Sequence, residues 1–242
     1  MRTLRSALFW SVGGIHFFLL FLILSVGLLV CTPRTLYPAV RLLMRMQLFV
    51  MGVRVSAGGY DLFDRQVSYL IMGNHESLFD VFLIPVALPL HAVGIEAAYH
   101  FSIPLWGRLA RRWGNIPIRR SNLGEAKQTL DDAAHVLQSG TSIVILTEGH
   151  RTLTGSLGPF KKGPFHLAAA GGVDILPFAM SGLYEYRRKG GWQLTPLTAH
   201  VEFGRPIPYD TFKDDEIAAI RHRVRREIMA LKKIADGKRN RL

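Results

Sequence analysis

The sequence predicts an α/β fold, a central mixed sheet flanked by helices, preceded by an N-terminal membrane-anchoring helical segment. From about residue 60 onward, short apolar runs alternate with segments of helical periodicity, the pattern of a layered α/β domain. Before that domain, Ala7 to Val30 form 24 nearly uncharged positions, with Arg2 and Arg5 ahead of them and Arg34 behind. A helix of this length reaches about 36 Å, enough to cross a bilayer. A chain of 242 residues suits one good-sized domain plus an appendage rather than two domains. The expected division is residues 1–57 as the anchor and residues 58–242 as the domain, ending in a basic helix.

No Ala-x-Ala site follows the first apolar stretch, and Val30 is too large for the small residue that precedes a lipoprotein cysteine, so the helix reads as retained. Pro33 breaks the chain. The next apolar stretch, Thr35 to Val55, carries Arg41 and Arg45 one turn apart, which suits a helix at the headgroups. The pair reads either as a hairpin dipping into one leaflet or as a spanning helix followed by an interfacial one. Arginines at both ends of the first helix leave its orientation open.

Gly58-Gly59 marks the boundary of the domain, and Val67 to Met72 then reads as a buried strand. Ser77, three residues before Asp80, gives a capping-box pattern that opens a helix through Leu88 and puts Asp80 at its third position. His91 to Glu96 reads as a strand, Trp106 to Trp113 as a helical turn, and Gly114 to Ile118 as another strand. Leu123 to Gln138 is a helix by the spacing of Leu123, Ala126, Leu130, Ala133, Ala134 and Leu137, capped by Asn122 or Ser121 and stopped by Gly140. Thr141 to Leu146 and Val173 to Met180 read as strands, Gly163 to Ala170 as a short helix, and Trp192 to Phe203 as one or two antiparallel strands. The last helix, about Asp214 to Ala235, presents Ile217, Ile220, Val224, Ile228 and Leu231 on one face, its Arg and Lys residues forming a solvated face.

The net charge of +12 is unevenly spread. Residues 1–60 hold six arginines and no acid, residues 61–220 hold 15 basic and 16 acidic groups, and residues 221–242 hold nine basic and two acidic groups. A near-neutral centre with basic ends fits an anionic membrane surface and argues against a nucleic-acid partner. The single cysteine, Cys31, excludes an internal disulfide.

Chemistry gathers at strand ends. His75 and Asp80 are five apart, so inside one helix they would point about 140° away from each other. With His75 in the loop and Asp80 in the first turn, the carboxylate reaches back to the imidazole, fixes its tautomer and leaves the other nitrogen free as a base. Taken alone, His-x4-Asp also occurs by chance. A zinc-protease HExxH helix is excluded because Phe79 stands where the second histidine belongs. Three more loops follow strands: Gly114 to Arg120, Leu146 to Gly163, and Ile175 to Gly182. Ligands of α/β sheets collect at strand C-termini, so His75, Arg120 and Arg151 are expected to converge there, with guanidinium groups and Lys161 suited to a phosphate.

These four blocks, in order over roughly residues 60–205, resemble the glycerolipid acyltransferases typified by 1-acylglycerol-3-phosphate (lysophosphatidate) acyltransferases. Asn74-His75-x4-Asp80 matches the NHxxxxD block, Gly114 to Arg120 the block ending in Arg, Glu148 to Thr152 with Gly155 to Gly163 the EGTRS-type block and its continuation, and Leu176 to Gly182 the VPVAISG-type block. His150, Thr147 and Arg119 depart from the usual Thr, Pro and often acidic residue. The resemblance implies acyl transfer from acyl-CoA or acyl-carrier protein to a lysophospholipid hydroxyl, with no metal and no cofactor, in a domain on the cytoplasmic face of a membrane. His75 would be the base and Asp80 its orienting partner. Asn74, Arg120, Glu148, Gly149, Arg151 and Lys161 would line the acceptor site, with Glu148 holding Arg151 or a donor group. No Gly-x-Ser-x-Gly elbow, P-loop or Gly-x-Gly-x-x-Gly occurs. Two alternatives stand beside this reading: another lyso-lipid or glycolipid acceptor, and a non-catalytic membrane-surface or nucleic-acid-binding protein.

Overall fold

The burial of alternate residues decides the layering. The computed structural model describes residues 2–119 and 123–241, apart from the side chain of Leu123. Its helices are α1 (Arg2–Val30), α2 (Pro33–Val50), α3 (Asp80–Ala87), α4 (Trp106–Trp113), α5 (Leu123–Gln138), α6 (Gly163–Gly171), α7 (Leu183–Tyr186) and α8 (Ile217–Arg239). Its strands are β1 (Val53–Gly58), β2 (Leu70–Gly73), β3 (Ala92–Ala97), β4 (Ile116–Ile118), β5 (Ser142–Leu146), β6 (Ile175–Ser181) and β7 (Leu197–Phe203). On β2 and β6, Ile71, Leu176, Phe178 and Met180 join one core with Leu20, Leu48 and Leu83 from α1, α2 and α3. Leu70, Met72, Ile175 and Ala179 point the other way, into a core with Leu137, Phe165 and Val224 from α5, α6 and α8.

The sheet runs β1-β7-β6-β2-β5-β3-β4. Neighbours from β6 through β4 are parallel, β7 is antiparallel to β6, and β1 is parallel to β7. The sheet is therefore mixed, as expected. The strand at 67–72 starts later, at Leu70, and extends to Gly73. The stretch from Trp192 gives one strand, β7. The expected interfacial helix of residues 35–55 stops at Val50, because Val53–Gly58 pairs residue for residue with β7 as the sheet's edge. The sheet thus begins before the boundary expected at residue 58.

Helix α3 also starts later than its sequence suggests. Its first residue is Asp80, not Ser77, and the preceding Phe79 makes no side-chain cap. The cause is Asp80 itself, whose carboxylate accepts the backbone N–H groups of Glu76 and Ser77 and holds residues 76–79 as a turn. Ser77 Oγ is buried without a hydrogen-bond partner among the described residues.

The two N-terminal helices pack on the domain through one side only. Leu20, Phe21, Leu24, Tyr37, Val40, Met44 and Leu48 are buried in the core. Ser6 Oγ accepts the N–H of Leu194, and Trp10 Nε1 donates to Trp192 O at 2.7 Å. Leu4, Leu8, Val12, Ile15, Leu19, Leu22, Val26 and Leu29 form an exposed apolar stripe along the opposite face of α1, joined on α2 by Leu42, Met46 and Phe49. Among the described residues, α1 is the one helix long and apolar enough to cross a membrane.

Gly73 ends β2 against the ring of Phe178, where an added Cβ would stand 2.3 Å from Cζ. Phe178 is 1% exposed and has no room to withdraw. Gly73→Ala is therefore expected to lower stability by about 1–3 kcal/mol through overpacking, read as a lower thermal midpoint in detergent.

Candidate active site

Loops leaving the C-terminal ends of β2, β5 and β6 meet around His75. Its Nδ1 lies 2.7 Å from Asp80 Oδ2, and Asp80 is 1% exposed. The same carboxylate takes Glu76 N–H at 2.8 Å and Ser77 N–H at 3.0 Å. An ionised carboxylate only accepts, so Nδ1 carries the imidazole proton and the lone pair sits on Nε2. Nε2 has no hydrogen-bond partner among the described residues, and the side chain is about a quarter exposed at 24%.

The loop after β5 fixes the backbone of His75. Glu148 Oε1 accepts His75 N–H at 3.0 Å, Glu148 Oε2 accepts Gly158 N–H at 2.7 Å, and Thr152 N–H donates to His75 O at 2.9 Å. Glu148 is 1% exposed, and its two oxygens hold N–H donors, the second of its two expected partners, rather than Arg151 or a substrate. Gly149 turns the chain at φ +72°, in the left-handed region that suits glycine. Thr147, where proline is usual, donates both its N–H and its hydroxyl to Gly73 O, and Lys161 N–H closes the loop on Thr147 O. The departure at Thr147 thus ties the loop base to β2. The side chains of Lys161 and His150 are exposed, and Arg151 is half-buried with no ion pair among the described residues.

The expected role of Asn74 is corrected. Its Nδ2 donates to Met180 O at 3.1 Å and its Oδ1 accepts Met180 N–H at 2.7 Å, so a residue 2% exposed pins the loop to β6 instead of meeting a ligand. Arg120, with the capping candidates Ser121 and Asn122, lies outside the described residues. Its neighbour Arg119 pairs with Glu125 at 3.1 Å on the surface. Strand β4, from which both arginines follow, lies three strands from β2, about 14 Å at roughly 4.8 Å per strand.

Some residues of the site carry no sequence signal of their role. Glu76, 3% exposed, accepts the N–H groups of Leu183 and Tyr184 on Oε2 and so holds the start of α7. Lys232 Nζ of α8 stands 3.0 Å from Oε1, a charge contact rather than an aligned hydrogen bond. Burial pushes the Glu76 carboxyl up to about 7, against the opposing pull of Lys232. Arg225, also on α8, donates to Gly158 O. The supposedly solvated basic face of α8 therefore turns two of its cations toward the site loops. Trp10 of α1 reaches the ring of Phe79, inside the His75 block, with ring centroids 5.9 Å apart.

An imidazole oriented by a buried carboxylate, with its outer nitrogen open at the C-terminal edge of a mixed sheet, is an arrangement suited to taking a proton from a ligand. The Acyltransferase family profile matches residues 54–181. The 1-acyl-sn-glycerol-3-phosphate acyltransferase of Cocos nucifera is 30% identical over 174 residues, covering 72% of this chain and 56% of that protein. The alpha form from Ovis aries is 30% identical over 187 residues, covering 76% of this chain and 64% of that protein. The chain belongs to the acyltransferase family, and it spans somewhat over half the length of these curated relatives. The crystal structure of the 1-acyl-sn-glycerophosphate acyltransferase from Thermotoga maritima shares the fold with a TM-score of 0.78 at 18% identity, covering 100% of this chain and 97% of that one.

Two outcomes test this architecture. Glu148→Gln turns an amide N–H toward a backbone N–H, of either His75 or Gly158, and is expected to cost about 1–3 kcal/mol while displacing the His75 loop, read as a lower thermal midpoint together with a lower kcat. For Glu76 the folded carboxyl binds its proton more tightly than the unfolded one, so its contribution to stability falls as pH rises from its ordinary 4.5 toward about 7. Glu76→Gln is expected to flatten the pH dependence of unfolding across that window, and Lys232→Met to move it to higher pH.

Proposed function

We propose that the protein transfers a fatty acyl group from a thioester, acyl-CoA or acyl-carrier protein, to the free hydroxyl of 1-acylglycerol-3-phosphate, giving phosphatidate. The observation that carries this reading is the bond from His75 Nδ1 to Asp80 at 2.7 Å, which leaves Nε2 open beside the Arg151 loop. Nε2 takes the hydroxyl proton as the oxygen attacks the thioester carbonyl, and Asp80 stabilises the imidazolium that forms. The new C–O bond forms and the C–S bond breaks, the leaving sulfur taking the proton from His75. A thioester is already activated, so an oriented base suffices with no resident cofactor.

The membrane reading rests on the one-sided burial of the N-terminal helices. Their inner face is core and hydrogen-bonded to the domain, while the outer stripe of α1 and α2 is apolar and exposed. A hairpin seated in one leaflet satisfies both faces, whereas α1 as an isolated span would forfeit its inner contacts. The domain then lies against the bilayer, on its cytoplasmic face where the thioester donors are made. Lysophospholipid and bilayer lipids are its partners, and nucleic acid is not.

Vesicles containing the protein are expected to release free thiol from an acyl thioester only when lysophosphatidate is added, with weaker release on a panel of other lyso-lipids and glycolipids. A stronger response to one of those would replace the acceptor named here. His75→Ala should lower turnover by about 10²- to 10⁴-fold, the range of a lost general base. Asp80→Asn should be milder in turnover but less stable, because the amide faces either Ser77 N–H or the donors now on Oδ2. Full turnover by a folded His75→Ala protein would overturn the mechanism.

A further inference from the structure

The loop after β5 and the C-terminal end of helix α7 present two guanidinium groups with no ion pair among the described residues. Arg151 precedes Thr152, whose N–H holds His75 O at 2.9 Å. Arg187 follows α7, whose first N–H groups are held by Glu76 of the same His75 block. The two carriers touch. Tyr184 Oη of α7 donates to Leu153 O at 3.1 Å, and Gly155 lies so close to the Tyr184 ring that an added Cβ would stand 2.8 Å from it.

Several other charges packed nearby are paired, while Arg188 lies over the ring of Tyr184 with Cζ 5.7 Å from the centroid. Glu185, the acid of α7, takes Arg239 at 2.9 Å, Lys232 takes Glu76 at 3.0 Å, and Lys238 takes Glu202 at 2.8 Å. Neither Arg151 nor Arg187 has an ion pair among the described residues, and Arg187 Nε is buried with no hydrogen-bond partner. Burial first, and then the charge of Arg151, hold the Arg187 pKa below its usual value. The Arg187 guanidinium lies over the ring of Trp10, with Cζ 5.6 Å from the centroid, and Trp10 in turn meets Phe79 of the His75 block. A cation held on an aromatic face keeps its edge for a ligand.

We propose that Arg187 is a second acceptor-binding residue, closing with Arg151 on a phosphomonoester, and that Trp10 of α1 is the positioning residue that aims it. A phosphomonoester carries about −1.5 to −2 charges near neutral pH, matching two guanidiniums where a phosphodiester would leave one uncompensated. The assignment rests on the acyl-transfer reading and extends it to a residue outside the four sequence blocks and to a side chain from the membrane hairpin.

The test uses full-length protein in vesicles, with lysophosphatidate as acceptor and an acyl thioester as donor. Arg187→Ala is expected to raise the acceptor KM by about 10- to 100-fold, the loss of a charge-assisted hydrogen bond, while kcat and the donor KM stay within about twofold. Arg187→Lys, which keeps the charge and folds if the alanine variant does not, should give an intermediate rise. Trp10→Ala should shift the acceptor KM in the same direction, with Trp10→Phe restoring most of it. The double variant of Arg151 and Arg187 should fall short of the product of the single effects, because both act on one phosphate. An unchanged acceptor KM in Arg187→Lys and Arg187→Ala, or an equal rise in both substrate KM values, overturns the clamp alone. Absence of transfer by the wild-type protein overturns the acyl-transfer reading, and the clamp with it.

Discussion

The structure turns on one buried carboxylate. Asp80 accepts from His75 Nδ1 and from the backbone N–H groups of Glu76 and Ser77, and is 1% exposed. Leaving any of these donors unmet away from water would cost about 1–3 kcal/mol, so the carboxylate decides the conformation of the loop as well as the imidazole's proton. The start of α3, the turn at 76–79 and the orientation of the base are consequences of the same three bonds.

Two further buried acids repeat this arrangement around it. Glu148 spans His75 N–H and Gly158 N–H, and Glu76 spans the start of α7 and Lys232. Each joins two loops that leave different strands, and Asn74 adds a fourth tie to β6. Polar residues of the His75 block thus act mainly on backbone groups. The imidazole edge is what they leave open, in a frame that would keep the proposed base in one orientation toward a substrate.

The elements governed by local periodicity were legible in the sequence. Helix α5 runs Leu123–Gln138, as its spacing predicts, and α4 runs Trp106–Trp113, where the sequence reads as a helical turn. Strand β1 was not legible, because Val53–Gly58 continues an apolar stretch and becomes a strand only by pairing with β7, far along the chain. The pairing of His75 with Asp80 followed from their separation and a helix start between them. The inward roles of Asn74 and Glu148 did not, since an amide or carboxylate that binds a ligand and one that binds a backbone N–H have the same sequence. Trp10, Lys232 and Arg187 reach the site from distant stretches, and only packing brings them together.

The apolar stripe on α1 has a kinetic consequence. Were that face seated in a leaflet, as proposed, the site would sample acceptor as a mole fraction of a surface rather than as a concentration in bulk water. Turnover would then respond to dilution of the acceptor by other lipids at constant total amount. Adding more vesicles of the same composition would change it little once all the protein is bound. A lysolipid would approach by lateral diffusion with its chain still among its neighbours, and only its polar end would have to enter the site.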